Sequence, residues 1–223
     1  MGEINANFIV EPYGTTLINP AEQVVKALDG EVISNIEIIS TIVPNTFFKS
    51  IDHVKGMMHK HKVDYVLMMG EYIGRAMVTF ERFAHRLIDS SRYQLADNDG
   101  ISFDNKETIE HGPVAYQSNL PLKVIVETLR HHGIPADISD TAATFVCNHL
   151  YYGILHEISV RELPITAGWA HLPMLPSTAA LQENLGKPSM SVETSTTAIK
   201  FAIQAIAENP VDIKLSLAAG LQI

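Results

Sequence analysis

Cysteine is the scarcest reactive residue in this chain: Cys147 stands alone among 223 residues. One thiol excludes an internal disulfide framework and a cysteine-rich zinc site, and it fits a reducing compartment, so a cytoplasmic location is expected. Positive charge is also thin. Lys and Arg total 16 against 25 Asp and Glu, a formal net charge of -9, and the basic residues are scattered, which excludes the clustered positive surface a nucleic-acid partner needs. No apolar run reaches membrane-spanning length, and the opening Met1-Gly-Glu-Ile-Asn-Ala-Asn7 has no basic leader, so no membrane partner is expected. No histidine pair has metal-ligand spacing, so the sequence pattern offers no metal site. With 46% hydrophobic residues and no repeat, low-complexity tract or linker composition, residues 1–223 read as a single domain with a substantial core.

What is present is an alternation of strand-like and helix-like segments. Apolar runs rich in β-branched residues at 7–10, 32–43, 65–69, 77–88 and 165–172 predict strands. Helical periodicity predicts helices over 20–28, opened by Asn19 with Pro20 in the first turn, and over 47–62. Two more fall at 121–132, closed by Gly133, and about 144–162; the last, 191–208, ends at Asn209-Pro210. Residues 89–112 are polar and read as an extended surface loop. Such alternation implies an α/β fold, with layers of helix packed on a mostly parallel sheet.

The chemistry centres on Cys147. In the helix after Ser139, Asp140 and Thr141, residues Val146, Leu150, Ile154 and Ile158 recur every four positions as a core-facing stripe, with Cys147 one residue off it in the first turn. There a thiolate feels the positive helix terminus, although most lone cysteines are inert buried hydrophobes. A nucleophile also needs a base. His149, two residues away, points elsewhere and reads as a surface or packing residue. In Ile165-Thr-Ala-Gly-Trp-Ala-His-Leu-Pro-Met-Leu-Pro176, His171 emerges at a strand end before two prolines, as a base or as a satisfied structural histidine. Glu81 and Arg82 interrupt a strand-like run, and Glu81 either accepts a ring N–H from a histidine or pairs with Arg82 or Arg86.

Six ordered motifs resemble those of the pyroglutamyl peptidase family. They are Ile9-Val-Glu-Pro-Tyr-Gly14 with Asn19-Pro20, Gly74-Arg75, Glu81-Arg-Phe-Ala84, Gly112-Pro-Val-Ala-Tyr-Gln-Ser-Asn-Leu-Pro121, Ser139 to His149 with Ala143 where glycine is usual, and His171-Leu-Pro-Met-Leu-Pro176. The resemblance spans nearly the whole chain. It implies a compact three-layer α/β/α fold, a catalytic triad of Cys147, His171 and Glu81, no cofactor, and a homo-oligomer, dimer or tetramer. It places Arg92 in a stretch altered by an apparent insertion, where, with the Cys147 amide, it would serve the oxyanion. The substrate pocket it implies is formed by Val10, Tyr13, Asn45, Glu71, Tyr93, Phe145 and Val146, and here the chain departs from the family. Val10 and Tyr13 stand where aromatics are expected, Asn45 for threonine, Tyr93 for isoleucine, and Glu71 for glutamine or leucine; Phe145 and Val146 are retained. His85 and Arg86 replace Ile-Asn, with pairing to acidic residues as their expected fate. An ionised Glu71 only accepts hydrogen bonds, so facing a ligand it would favour N–H-rich or cationic groups; the other reading points it to solvent. Three functions follow: a cysteine peptidase removing an N-terminal pyroglutamyl or related cyclic residue from a peptide or small-molecule amide, an amidohydrolase or acyl-transfer enzyme using the same triad on another lactam or N-acyl substrate, and a non-catalytic binding homologue. Both enzyme readings expect a thiol pKa well below the reference of about 8.5.

Overall fold

A computed structural model describes residues 5–10, 18–214 and 216–219, with 5–10 as backbone. In chain order the elements are β1 (Asn5–Val10), α1 (Pro20–Leu28), β2 (Val32–Ile33), β3 (Ile36–Val43), α2 (Lys49–His61), β4 (Tyr65–Glu71), β5 (Val78–Glu81), β6 (Phe83–His85), β7 (Leu87–Ile88), β8 (Lys106–Glu107), β9 (Ala115–Gln117), α3 (Leu122–His131), β10 (Ala136–Ser139), α4 (Val146–Val160), β11 (Thr166–Leu172), α5 (Pro176–Ala179) and α6 (Val192–Glu208). Seven strands form one sheet in the order β10-β5-β11-β4-β1-β3-β2. Its pairs are parallel except β5 with β11 and β2 with β3.

Strand periodicity divides the core into two layers. Along β4, Leu67 and Met69 pack with α1, α3 and α6, whereas Val66 and Met68 pack with α2 and α4, because successive side chains leave a strand on opposite faces. Both faces are covered, as a mainly parallel sheet requires. The result is the three-layer α/β/α arrangement expected from the sequence.

Helix ends follow their local chemistry. Asn19 Oδ1 accepts the Ala21 N–H at 2.9 Å ahead of Pro20, and Ser191 Oγ accepts the Thr194 N–H at 3.1 Å. No side chain caps α3 from its N-cap, Pro121. Instead Asp212, from beyond α6, accepts the Lys123 and Val124 amides, each at 3.1 Å. A carboxylate at a helix N-terminus is favoured by the exposed amides and the helix dipole, and it ties the chain after α6 across α3.

Three expectations are corrected. The run at 32–43 is two strands, because Ser34 and Asn35 both have positive φ, 49° and 66°, and turn the chain into a tight hairpin. The run at 77–88 is three strands in three sheets: β5 in the main sheet, β6 against β9 and β7 against β8. Asn148 on α4 holds the junction of β6 and β7, donating to the His85 and Leu87 carbonyls at 2.8 and 3.1 Å and accepting the His85 N–H at 2.8 Å. Residues 89–112 hold a 3-10 turn, Ser91–Tyr93, and strand β8 rather than an open loop. Buried Asp97 organises this segment by accepting the amides of Phe47, Asp99 and Ile101 at 2.8 to 3.0 Å.

Candidate active site

Strand alternation decides which polar groups can meet. On β11, Ala170 and Leu172 belong to the α1/α3/α6 core and Trp169 to the α2/α4 core, so His171 faces α4. On β5, Val78 and Phe80 face the first core, which turns Thr79 and Glu81 toward α4 as well. Cys147 enters the same space from the first turn of α4. Three residues distant in sequence are thereby delivered to one side of the sheet.

His171 Nδ1 and Glu81 Oε1 are 2.7 Å apart, and both side chains are shielded from solvent. The same Oε1 receives Arg75 Nη1 at 2.6 Å. With its carboxylate ion-paired, Glu81 accepts, so Nδ1 carries the imidazole proton and Nε2 is left as an acceptor. Gly70 on β4 leaves the room in which thiol and imidazole converge. A Cβ built there would stand 3.4 Å from Cys147 Sγ, 3.7 Å from His171 Cδ2 and 3.1 Å from the Trp169 ring. Tyr72 and Trp169 hold the imidazole from two sides, with ring centroids 5.2 and 5.5 Å from it.

Cys147 and His171 open onto one cavity of about 130 Å³. Tyr93, Leu95 and Phe145 supply its apolar wall, and Glu71, only 1% exposed, a carboxylate. The solvent-facing reading of Glu71 is therefore excluded. Of the residues proposed for a substrate pocket, Phe145 and Tyr93 line this cavity, whereas Asn45 and Val146 do not line it and are buried. Arg92 is exposed, its guanidinium 5.2 Å from the Tyr93 ring centroid, outside the cavity lining. Tyr13 and the side chain of Val10 lie outside the described residues. Arg82 and Arg86 pair elsewhere, with Asp140 at 3.1 Å and Glu107 at 3.0 Å. His85 Nε2 lies 3.3 Å from the Asp140 carbonyl.

Two features differ from the sequence reading. The helix expected over about 144–162 runs from Val146 with Phe145 in the N-cap place and no side-chain cap, so Ser139, Asp140 and Thr141 do not cap it. Burial then outweighs the helix terminus: it pushes the Cys147 thiol up to about 12, Glu81 adding to the rise while the residue's own backbone N–H and Arg75 oppose it. Burial also lowers the His171 pKa from its ordinary value, against the pull of Glu81. The resting pair is a neutral thiol beside a neutral imidazole, not the preformed thiolate anticipated from a helix terminus.

Ala143 adopts a left-handed backbone, φ 62°, and lines the cavity. An L side chain there is strained. Ala143→Gly is expected to raise the unfolding free energy by about 1 kcal/mol, read as a higher urea midpoint at unchanged slope.

Arg75 and Gly70 were missed as site residues. Gly74-Arg75 was visible as a motif without a partner, and nothing local in sequence marks Gly70, whose importance comes from two side chains arriving from other elements.

A family sequence model described as pyroglutamyl peptidase matches residues 8–209. The pyrrolidone-carboxylate peptidase of Mycobacterium tuberculosis is 46% identical over 212 residues, covering 95% of this chain and 96% of that protein. Among solved structures, pyroglutamyl peptidase I of Bacillus amyloliquefaciens superposes with a TM-score of 0.91 at 35% identity, covering 97% of this chain and all (100%) of that one. Pyrrolidone carboxyl peptidase of Thermococcus litoralis gives a TM-score of 0.90 at 31% identity, with coverage of 96% and 100%.

Proposed function

The chain belongs to the pyroglutamyl peptidase family, and from that premise we propose that it cleaves an N-terminal pyroglutamyl residue from a peptide or small amide through Cys147, His171 and Glu81. It is a cysteine-type peptidase. The observation that carries the residue assignment is the buried 2.7 Å contact between His171 Nδ1 and Glu81, beside a thiol sharing one cavity with the imidazole.

With both groups neutral at rest, attack and proton transfer are coupled. Cys147 Sγ bonds to the acyl carbon as its proton passes to His171 Nε2, and Glu81 stabilises the imidazolium that forms. The carbonyl electron pair moves to oxygen, where the Cys147 backbone N–H at the helix start is the donor we assign. Collapse breaks the C–N bond, and His171 returns the proton to the departing amine. The thioester is hydrolysed by a water that gives its proton to His171. A largely apolar cavity strengthens each of these charge interactions once the acyl ring fills it and displaces water.

The test is release of a fluorophore from a pyroglutamyl amide by the purified protein; absence of turnover sinks this reading. Burial of Glu71 in the cavity favours a second one, a related cyclic or N-acyl amide that presents N–H donors. Glu71→Gln separates them. Under the first reading kcat/KM for the pyroglutamyl amide changes by less than about tenfold, and under the second it rises by more than about tenfold as a donor becomes available to the lactam carbonyl.

A further inference from the structure

Arg75 sits on the loop after β4 and is used by nothing in the mechanism above. Its guanidinium nevertheless contacts four groups around the Glu81 carboxylate. Nη1 donates to Glu81 Oε1 at 2.6 Å and to Thr79 Oγ1; Nη2 donates to Ser139 Oγ at 3.1 Å and to the Thr141 carbonyl at 3.2 Å. It also lies 4.0 Å from the centroid of the Tyr72 ring, the ring set edge-on to His171. Only 13% of its side chain is exposed. The fork thus joins β5, the end of β10 and the approach to α4, while its body supports a wall of the imidazole.

Electrostatics gives this arrangement a second consequence. Glu81 is wholly buried, and its Oε2 has no hydrogen-bond partner among the described residues. A buried carboxylate left with one neutral partner would draw a proton onto that partner. The charged and titratable groups facing His171 are Glu81 from β5, Arg75 and Tyr72 from the loop after β4, Cys147 from α4 and Glu71 at the end of β4. Arg75 supplies the positive charge that satisfies Glu81, so the carboxylate orients the imidazole without protonating it.

Resting on the proposed triad, we infer that Arg75 is a positioning residue that keeps His171 in its neutral, proton-accepting form and holds Glu81 in register with it. Its field opposes protonation of His171 and favours ionisation of Cys147. Loss of the charge therefore raises both pKa values. The imidazole would be protonated over more of the working range while the thiol would become harder to ionise.

Arg75→Met and Arg75→Lys test this with two readouts, the pH profile of kcat/KM and the pH dependence of Cys147 alkylation by iodoacetamide. R75M is expected to lose about 100-fold in kcat with KM changed by less than about threefold. Its acidic limb should move up by about one pH unit, and alkylation at pH 8 should slow by about fivefold. R75K keeps the charge but not the fork: its acidic limb should stay near that of the wild type while kcat drops about tenfold. An R75M limb at the wild-type position, or faster alkylation as a merely loosened pocket would give, overturns the inference. So does an R75K enzyme with wild-type kcat, which decides the matter even if R75M does not fold. If the wild type itself turns over no pyroglutamyl amide, the functional reading fails separately, and the alkylation profiles still report what Arg75 does to the thiol.

Discussion

Replacing His171 with alanine is expected to slow amine release from a pyroglutamyl amide by about 10⁴-fold, with Cys147→Ala at least as damaging. The size follows from the resting state of the thiol. With the Cys147 pKa pushed up to about 12 by burial and by Glu81, the thiolate fraction at pH 7 is on the order of 10⁻⁵ without a base. In the proposed mechanism, attack then depends on the imidazole taking the proton as the S–C bond forms. Because the residues act as a unit, combining both substitutions should cost little more than the worse single one. His171 is 1% exposed, so its truncation leaves a void beside Trp169 and removes one partner of Glu81; a thermal melt of each variant separates lost chemistry from lost structure. A folded His171→Ala protein retaining a tenth of wild-type turnover would remove His171 from the role of base.

Acid should destabilise this protein well above the pH at which most carboxylates titrate, and His149 is the reason. This residue, read from sequence as surface or packing, is fully buried (0% exposed). Its Nε2 accepts the Phe48 amide at 2.8 Å and its Nδ1 lies 3.2 Å from Thr108 Oγ1. Phe48 needs that anchor because it holds φ 63° immediately before α2. Burial, with Lys106 nearby, lowers the His149 pKa to about 3 in the folded state. In the unfolded chain it titrates at its ordinary value of about 6.5. The folded pKa is the depressed one, so the unfolded state binds the extra proton as pH falls. The His149 contribution is full above pH 6.5 and is lost at about 1.4 kcal/mol per pH unit below it, the loss totalling about 5 kcal/mol near pH 3. His171, also lowered by burial, acts in the same direction. Urea unfolding at pH 7, 6 and 5 measures the slope, and His149→Gln should flatten it by about one proton while lowering stability at pH 7. A wild-type stability unchanged from pH 7 to 5 would contradict the buried neutral imidazole.

Much of the fold was legible because its elements carry strong local signals. The helix at 20–28 begins with an asparagine cap and a proline and has the observed limits, and α6 differs from expectation by one residue at its start. The segment 77–88 was misread because its apolar content looks continuous. Its breaks are held by residues from elsewhere in the chain: Arg82, between β5 and β6, bonds through its backbone to Ser139 and Ser118, and Asn148, 60 or more positions away, holds the β6/β7 junction. The hairpin at Ser34 and Asn35 was missed for a different reason: without glycine, the two residues that take positive φ do not announce it.

At the site, Cys147, His171 and Glu81 were named from motifs as candidate nucleophile, base and orienting acid, and the alternation of β5 and β11 delivers the last two to the α4 face. Spacing alone left Glu81 open between a histidine and its arginine neighbours. The tertiary structure resolved that choice by sending Arg82 to Asp140 and Arg86 to Glu107, and by bringing Arg75 to Glu81. The protonation state was the point on which local reasoning failed. A helix terminus, visible in sequence, lowers a thiol pKa by a modest amount, whereas complete burial raises it by more, and burial is a property of the packed whole.

By itself, the sequence determined the α/β class, the family and the reactive residue types, since these follow from periodicity, capping and ordered motifs carried locally along the chain. Only the tertiary structure decided that Glu71 faces the cavity, that Arg92 stands outside it, that Gly70 makes room for thiol and imidazole, and that both are neutral at rest. Those properties depend on distances and desolvation between residues far apart in the chain, which no local pattern encodes.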